Sequence, residues 1–170
     1  MTIDLYQVPV SAPCRAVMMT AREIGVDLNL KFINLLEGEQ KKPEFVKMNP
    51  QHCLPTIDDN GFVLWESRAI QTYLVNKYSP GNDLYPSDPQ ARALVDRLLY
   101  FDIGVLYKSL GELVYPQLFQ GQPKCAEKEE AFYKALCILN KYLAKTPYVA
   151  GENRTIADLS IFAGLTFGET

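Results

Sequence analysis

Histidine and tryptophan are almost missing from this chain, whose 170 residues contain one of each, His52 and Trp65. Zinc sites need cysteine or histidine pairs at short spacing. With a single histidine, and with Cys14, Cys53, Cys125 and Cys137 set apart from one another, no metal is expected. The cysteines form no disulfide framework either, so free thiols in a reducing cytoplasm are the simplest account. No apolar stretch reaches the roughly 20 residues that span a bilayer. Met1-Thr2-Ile3-Asp4 lacks the basic patch and apolar run of a signal peptide, so neither a membrane partner nor a leader is expected. Positive charge is not in excess: 17 basic residues against 20 acidic ones leave a formal net charge of −3. Without a basic stripe the chain is not expected to bind nucleic acid. The charge runs, Lys41-Lys42, Asp58-Asp59 and residues 127–130, are short and mixed and read as solvated surface.

What is present is apolar residue in quantity, 48% of the chain, enough for a core in one large domain or two small ones. Ile3 and Leu5 alternate with Asp4 and Tyr6 as a strand does. Pro9 and Ser11-Ala12-Pro13 interrupt, with Pro13 placed for the first turn of a helix. Cys14, Val17, Ala21 and Ile24 make one helical face, Gly25 stops it, and Leu28, Leu30 and Phe32 alternate again. Strand, helix, strand predicts a parallel pair with a right-handed crossover. A short helical piece at 43–47 follows, then apolar runs at 54–57 and 62–65 around Asn60-Gly61, a two-residue hairpin signal. Glu66-Ser67 then opens a helix that buries Ile70, Tyr73, Leu74 and Tyr78.

Residues 79–89 are rich in Pro, Gly, Asn and Asp and read as a linker. The expected division is 1–80, a linker at 81–89, and 90–170. Beyond the linker every signal is helical: a stripe through Ala91, Leu94, Val95, Leu98 and Leu99 continues at Leu106, Leu110 and Leu113. A helix at 131–143 follows, with Ala135, Leu136, Leu139 and Leu143 on one face. Thr155 and Asp158 resemble a capping box ahead of an apolar helix at 156–165. The fold class is therefore an α/β thioredoxin-like domain followed by an all-α domain.

Three constellations could carry chemistry. Ser11-Ala12-Pro13-Cys14 opens a helix, whose free N–H groups and dipole favour an anion such as a thiolate. Either Cys14 is itself a redox nucleophile, or Ser11 donates a hydrogen bond to a thiolate that a ligand supplies. In Asn49-Pro50-Gln51-His52-Cys53-Leu54-Pro55-Thr56, a cis Leu54-Pro55 bond would turn the Leu54 backbone toward a bound peptide. His52 is as readily a surface residue as a ligand contact. In Glu66-Ser67-Arg68, Ser67 can cap the helix or hold a carboxylate, Arg68 adds an anion contact, and Glu66 can accept an ammonium. Asp102 falls among the apolar positions of its helix, where a buried carboxylate needs a partner.

The segments SAPCRAV, KPEFVKMNPQHCLPT, DNGFVLWESRAIQTYLVNKY and LYFDIGVLYKSL, in that order, resemble the cytosolic glutathione transferases, above all the insect delta and epsilon classes. The resemblance implies an enzyme that joins glutathione, a co-substrate rather than a cofactor, to a small apolar electrophile in detoxification. It implies that Ser11 stabilises the glutathione thiolate while Cys14 does not act as nucleophile. His52, with Cys53 beside it, would lie near the glycine carboxylate, and Leu54 beside Pro55 would pair with the cysteine portion. Glu66, Ser67 and Arg68 would hold the γ-glutamyl end, with Asp102 in the same charge network and Arg68 as its partner. Tyr107, Tyr115 and Phe119 would line the pocket for the second substrate. A homodimer is implied, with Tyr100 a possible contact. Two departures stand out. Gln40 replaces a histidine common near the glycine end, and the sequence stops soon after the Thr155 helix, where relatives continue through further helices. A truncated helical domain, with the apolar face of that last helix uncovered, is therefore expected. A glutathione-binding protein without turnover is the alternative.

Overall fold

The computed structural model describes residues 2–166. The chain divides into two compact units, one running to Asn82 and taking in the segment from Phe162, the other Asp83–Ile161. The first contains β1 (Ile3–Gln7), α1 (Ala12–Glu23), β2 (Leu28–Phe32), a 3-10 turn (Glu39–Lys41), α2 (Pro43–Met48), β3 (Thr56–Asp59), β4 (Phe62–Trp65) and α3 (Ser67–Tyr78). Its sheet runs β2-β1-β3-β4, with β1 and β2 parallel and β3 antiparallel to both β1 and β4. The strand–helix–strand signal thus yields the expected parallel pair. Asn60 and Gly61 make the hairpin turn at φ 56° and 92°. The apolar run at 54–57 becomes strand only at Thr56, because Pro55 has no N–H to give a ladder.

Ile3, Leu5, Val17, Ala21, Ile57, Ile70 and Leu74 form the core of this unit. Helices α1 and α3 also meet through polar groups. The buried Gln71 Nε2 donates to Thr20 Oγ1 at 2.9 Å, and Thr20 Oγ1 donates to the Ala16 carbonyl at 3.0 Å. Tyr73 packs against this core as expected, Tyr78 on the same helix is exposed, and the hydroxyls of both serve a charge. Asp59, 3% exposed, accepts on Oδ2 from Tyr73 Oη at 2.6 Å, Lys77 Nζ at 2.7 Å and Tyr78 Oη at 2.6 Å. Asn60 Nδ2 donates to Oδ1 at 2.8 Å. These bonds fasten the β3–β4 hairpin to the far end of α3.

The second unit holds α4 (Pro89–Phe101), a π-helical turn (Asp102–Leu106), α5 (Tyr107–Gln120), α6 (Ala126–Leu143) and the start of α7 (Ile156–Leu165). The residues read as linker are only partly a spacer. Leu84 and Tyr85 are buried, the Leu84 carbonyl accepts from Ile156 N at 2.9 Å, and Tyr85 Oη donates to Asp96 at 2.9 Å. Asp88 caps α4, accepting from the amides of Gln90 and Ala91. The apolar stripe is buried at Val95, Leu98, Leu99, Leu106 and Leu110, while Leu94 and Leu143 are exposed. Helix α6 begins five residues earlier than its apolar pattern, at Ala126, since Glu127 and Glu129 suit the positive end of a helix.

The capping box forms with a variation. Asp158 Oδ2 accepts from both the amide (2.7 Å) and the hydroxyl (2.9 Å) of Thr155, and Oδ1 accepts from Val149 N at 2.9 Å. The last helix is less bare than expected: Ile156, Ala157, Leu159, Ile161 and Ala163 are buried, and Phe162 is the large apolar residue left exposed. Among the described residues no helix is long and apolar enough to cross a membrane, no group of acidic, cysteine and histidine side chains could hold a metal, and the four cysteines are free.

Two measurements test these polar fasteners. Burial pushes the Asp59 carboxyl up, but the Lys77 ammonium and the tyrosine and asparagine hydrogen bonds outweigh it and hold the carboxyl well below the usual carboxylate range. A carboxyl lowered in the folded state stabilises above its unfolded value and loses that contribution as pH falls toward its folded one. Asp59→Asn should cost about 2 kcal/mol at pH 7 in urea unfolding, and the gap from the parent should narrow as pH drops below about 4. Asp158→Ala, which orphans two amides and a hydroxyl, should cost about 2–3 kcal/mol in the same assay, with Asp158→Asn recovering part.

Candidate functional site

Strand register brings the first two sequence constellations and Glu66 to one place. Thr56 pairs with Tyr6 on one side and with Trp65 on the other. The end of β1, the start of β3 and the end of β4 are therefore level. Ser11 follows the first, Leu54-Pro55 precedes the second, and Glu66-Ser67 follows the third. Helices α1 and α3 both begin at this edge, so two sets of unshared N–H groups and two positive dipole ends converge there.

Ser11 is the residue that caps α1, in extended backbone at φ −73° and ψ 117°. Its Oγ accepts from Cys14 N at a long 3.4 Å, and its hydroxyl also lies against the Cys14 thiol, a weak acceptor. Cys14 is fully buried, and burial pushes its thiol up, with the Ser11 side chain, the Val8 hydrogen bond and the charge of Arg15 offsetting this only in part. A raised thiol is the opposite of an activated one. Of the two readings of this helix start, the geometry opposes the Cys14 nucleophile.

The Leu54-Pro55 bond is cis. The loop ahead of it is organised by Asn49, a residue the sequence analysis named only as part of the motif. Asn49 is fully buried. Its Nδ2 donates to Thr56 Oγ1 at 2.9 Å and the Cys53 carbonyl at 3.2 Å, and lies 3.5 Å from Cys53 Sγ; its Oδ1 accepts from Gln51 N at 2.9 Å. The Thr56 hydroxyl donates to the same Cys53 carbonyl at 2.9 Å. Burial with full pairing is what makes Asn49 a scaffold, and no spacing in the sequence reveals burial. His52 is exposed and sits at φ 43°, a left-handed conformation uncommon for a residue with a Cβ. No bond to the N–H or C=O of Leu54 is formed among the described residues.

Glu66 also has positive φ, 70°, and stands at the head of α3. The helix therefore starts at Ser67 and is not capped by the Ser67 side chain, because Ser67 already lies within the first turn. Ser67 is buried, and its Oγ accepts from Arg68 Nη1 at 3.1 Å. Non-glycine residues in such conformations persist where the surroundings over-determine them and cluster at ligand sites. Gln40 occupies the 3-10 turn, with a buried Oε1 that has no partner among the described residues.

The remaining expected site residues belong to the second unit. Asp102 is 1% exposed, and Ser160 Oγ donates to its Oδ2 at 2.6 Å, a partner the sequence analysis did not name. Tyr107 and Tyr115 share a hydroxyl–hydroxyl hydrogen bond of 2.7 Å. The Tyr115 and Phe119 rings lie 5.8 Å apart. A surface hollow of about 380 Å³ is lined by Tyr107, Gly111, Tyr115 and Pro116 among others, with Phe119 outside that lining. Gly111 packs closely there: a Cβ would come to 3.1 Å from the Tyr115 ring, which would have to give by a few tenths of an ångström.

Residues 1–76 match the family model described as glutathione S-transferase, N-terminal domain. A delta-class glutathione transferase of Nilaparvata lugens is 52% identical, with a TM-score of 0.94 over 96% of this chain and 77% of that one. A glutathione transferase of Bombyx mori is also 52% identical, with a TM-score of 0.96 over 98% of this chain and 77% of that one. A homologue from Drosophila mojavensis, solved with bound glutathione, is 35% identical, with a TM-score of 0.93 over 97% and 76%. The chain thus spans about three quarters of the length of these relatives, and on this identity and coverage it belongs to the glutathione transferase family of enzymes.

Proposed function

We propose that this transferase joins the thiolate of glutathione to small apolar electrophiles, a detoxifying conjugation, and that Ser11 stabilises the thiolate. The observation that carries the reading is the position of the Ser11 hydroxyl at the start of α1, level with Leu54-Pro55 and Glu66. Glutathione loses its thiol proton to solvent; the Ser11 O–H and the dipole of α1 then favour the anion. The sulfur attacks an electrophilic carbon, the C–S bond forms, and the leaving group departs with its electron pair.

The remaining roles follow the chemistry of each group. Leu54 offers an unused N–H and C=O to the backbone of the tripeptide. Glu66, whose carboxylate forms no ion pair among the described residues, accepts the γ-glutamyl ammonium. Ser67, Arg68 and the amides at the head of α3 hold the carboxylate beside that ammonium. His52, Cys53 and Gln40 attend the glycine end, where Gln40 supplies a neutral amide that binds more weakly than an imidazolium. Tyr107, Tyr115 and Phe119 offer apolar surface to the electrophile. In this reading residues 1–80 bind glutathione, 81–89 form a connection, and 90–170 form the helical domain of a cytoplasmic homodimer, with the exposed Tyr100 at the contact.

Conjugation of a nitro-substituted aryl halide tests the assignment. Ser11→Ala should lower kcat/KM by about 10²-fold, the usual loss when one donor to a developing anion is removed. It should also raise the pH midpoint of thiol ionisation in bound glutathione by about one unit. Unchanged turnover and an unchanged midpoint would remove Ser11 from the mechanism.

A further inference from the structure

One cation close to the candidate site is used in a way that the reading so far leaves unexplained. Arg15, half-buried in the first turns of α1, points its guanidinium back past Ser11. Nη1 donates to the Val10 carbonyl at 2.8 Å and more distantly to the Pro9 carbonyl at 3.4 Å. Nη2 donates to the Ala163 carbonyl at 3.0 Å and to Thr166 Oγ1 at 3.3 Å. Thr166 Oγ1 donates in turn to the same Ala163 carbonyl at 3.0 Å. Every acceptor is uncharged, and no carboxylate pairs with Arg15 among the described residues. A guanidinium is a rigid fork of five donors, and here its two tips serve two different segments.

Those segments matter. Pro9 and Val10 immediately precede Ser11. The stretch has little else to hold it: Pro9 has no amide hydrogen, Val10 is 67% exposed, and a single backbone bond, Ser11 N to the Val8 carbonyl at 3.0 Å, closes the turn. The Ser11 hydroxyl itself meets weak partners, the Cys14 amide at a long 3.4 Å and the Cys14 thiol, and neither fixes its direction firmly. The second segment is the last turn of α7, whose final carbonyls lack partners within their own helix and whose negative dipole end suits a cation.

We propose that Arg15 is a positioning residue for the transfer reaction: by holding the Pro9 and Val10 carbonyls to the last turn of α7, it fixes the direction in which Ser11 presents its hydroxyl. The proposal rests on the reading that Ser11 supports the glutathione thiolate. Lysine at this position keeps the charge but has one compact ammonium, which cannot span both segments. Charge alone therefore does not substitute for the fork.

The test compares Arg15→Lys, Arg15→Gln, Ser11→Ala and the double variant Ser11→Ala/Arg15→Lys. The readouts are kcat, the KM for glutathione, and thiolate absorbance of bound glutathione against pH. Arg15→Lys is expected to change KM by less than about threefold and to lower kcat about tenfold, since misplacement at a reacting centre affects the chemical step before binding. The thiol midpoint should rise with it, and the double variant should lose no more kcat than Ser11→Ala alone, because both changes act through one hydroxyl. Parental kcat and midpoint in Arg15→Lys would overturn the proposal. So would losses in kcat that simply add in the double variant, or a KM increase without a midpoint shift. Should Arg15→Gln fail to fold, Arg15→Lys decides the matter. If Ser11→Ala alone keeps parental turnover, the Ser11 reading fails at its source, whereas a silent Arg15→Lys beside an impaired Ser11→Ala overturns Arg15 only.

Discussion

Thr56 lies in the strand that pairs on one side with β1 and on the other with β4, so Tyr6, Thr56 and Trp65 stand in one row across the sheet. From that row outward, each chain leaves the sheet at the same edge, and Ser11, Leu54 and Glu66 lie within a few residues of it. A slip of one residue in either pairing would turn the following side chains to the opposite face. Apolar residues lock the register from within: Leu5 pairs with Ile57, and both are fully buried. The hydroxyl of Thr56 adds a second role, since it joins Asn49 and the Cys53 carbonyl and so ties the loop to the strand it enters.

Polar groups inside the first unit are paired where they hold irregular backbone. Asn49 satisfies the loop at 50–54, Arg15 the turn before Ser11, and Asp59 collects three donors on one oxygen to join the hairpin to α3. Loops cannot satisfy their own backbone as helices and strands do, so buried side chains must. The second unit uses the same device at Asp158, which serves two stretches of chain at once.

Much of this was legible in the sequence because it depends on local pattern. Alternation at Ile3 and Leu5, the Asn60-Gly61 pair, Pro13 in the first turn of α1 and the Thr155–Asp158 spacing each state their structure through steric or hydrogen-bonding preference. The ordered motifs added the family, which periodicity could not. What escaped was set by partners distant along the chain. Nothing near Asp59 announces that Tyr73, Lys77 and Tyr78 converge on it, and nothing near Asp102 points to Ser160. The start of β3 shifted from its apolar pattern because Pro55 has no N–H to give the ladder, while α3 begins where Glu66-Ser67 placed it. Leu84 and Tyr85 were hidden among turn-forming neighbours.

The π-helical turn at Asp102–Leu106 has a consequence for how the helical unit is phased. One extra residue in a helical turn advances everything that follows by about 100° around the axis, since an α-helix has 3.6 residues per turn. The buried stripe of α4 therefore passes to α5 through a phase step and not along one uniform helix. The wide turn acts as an indexing step that sets where Tyr107, Gly111 and Tyr115 come round, while keeping Asp102 turned inward. Loss of a single residue from this turn would leave the helix intact and its length nearly unchanged. It would, however, dial the aromatic face away from its present bearing, so the identity of the surface is encoded in a count of residues as much as in their kind.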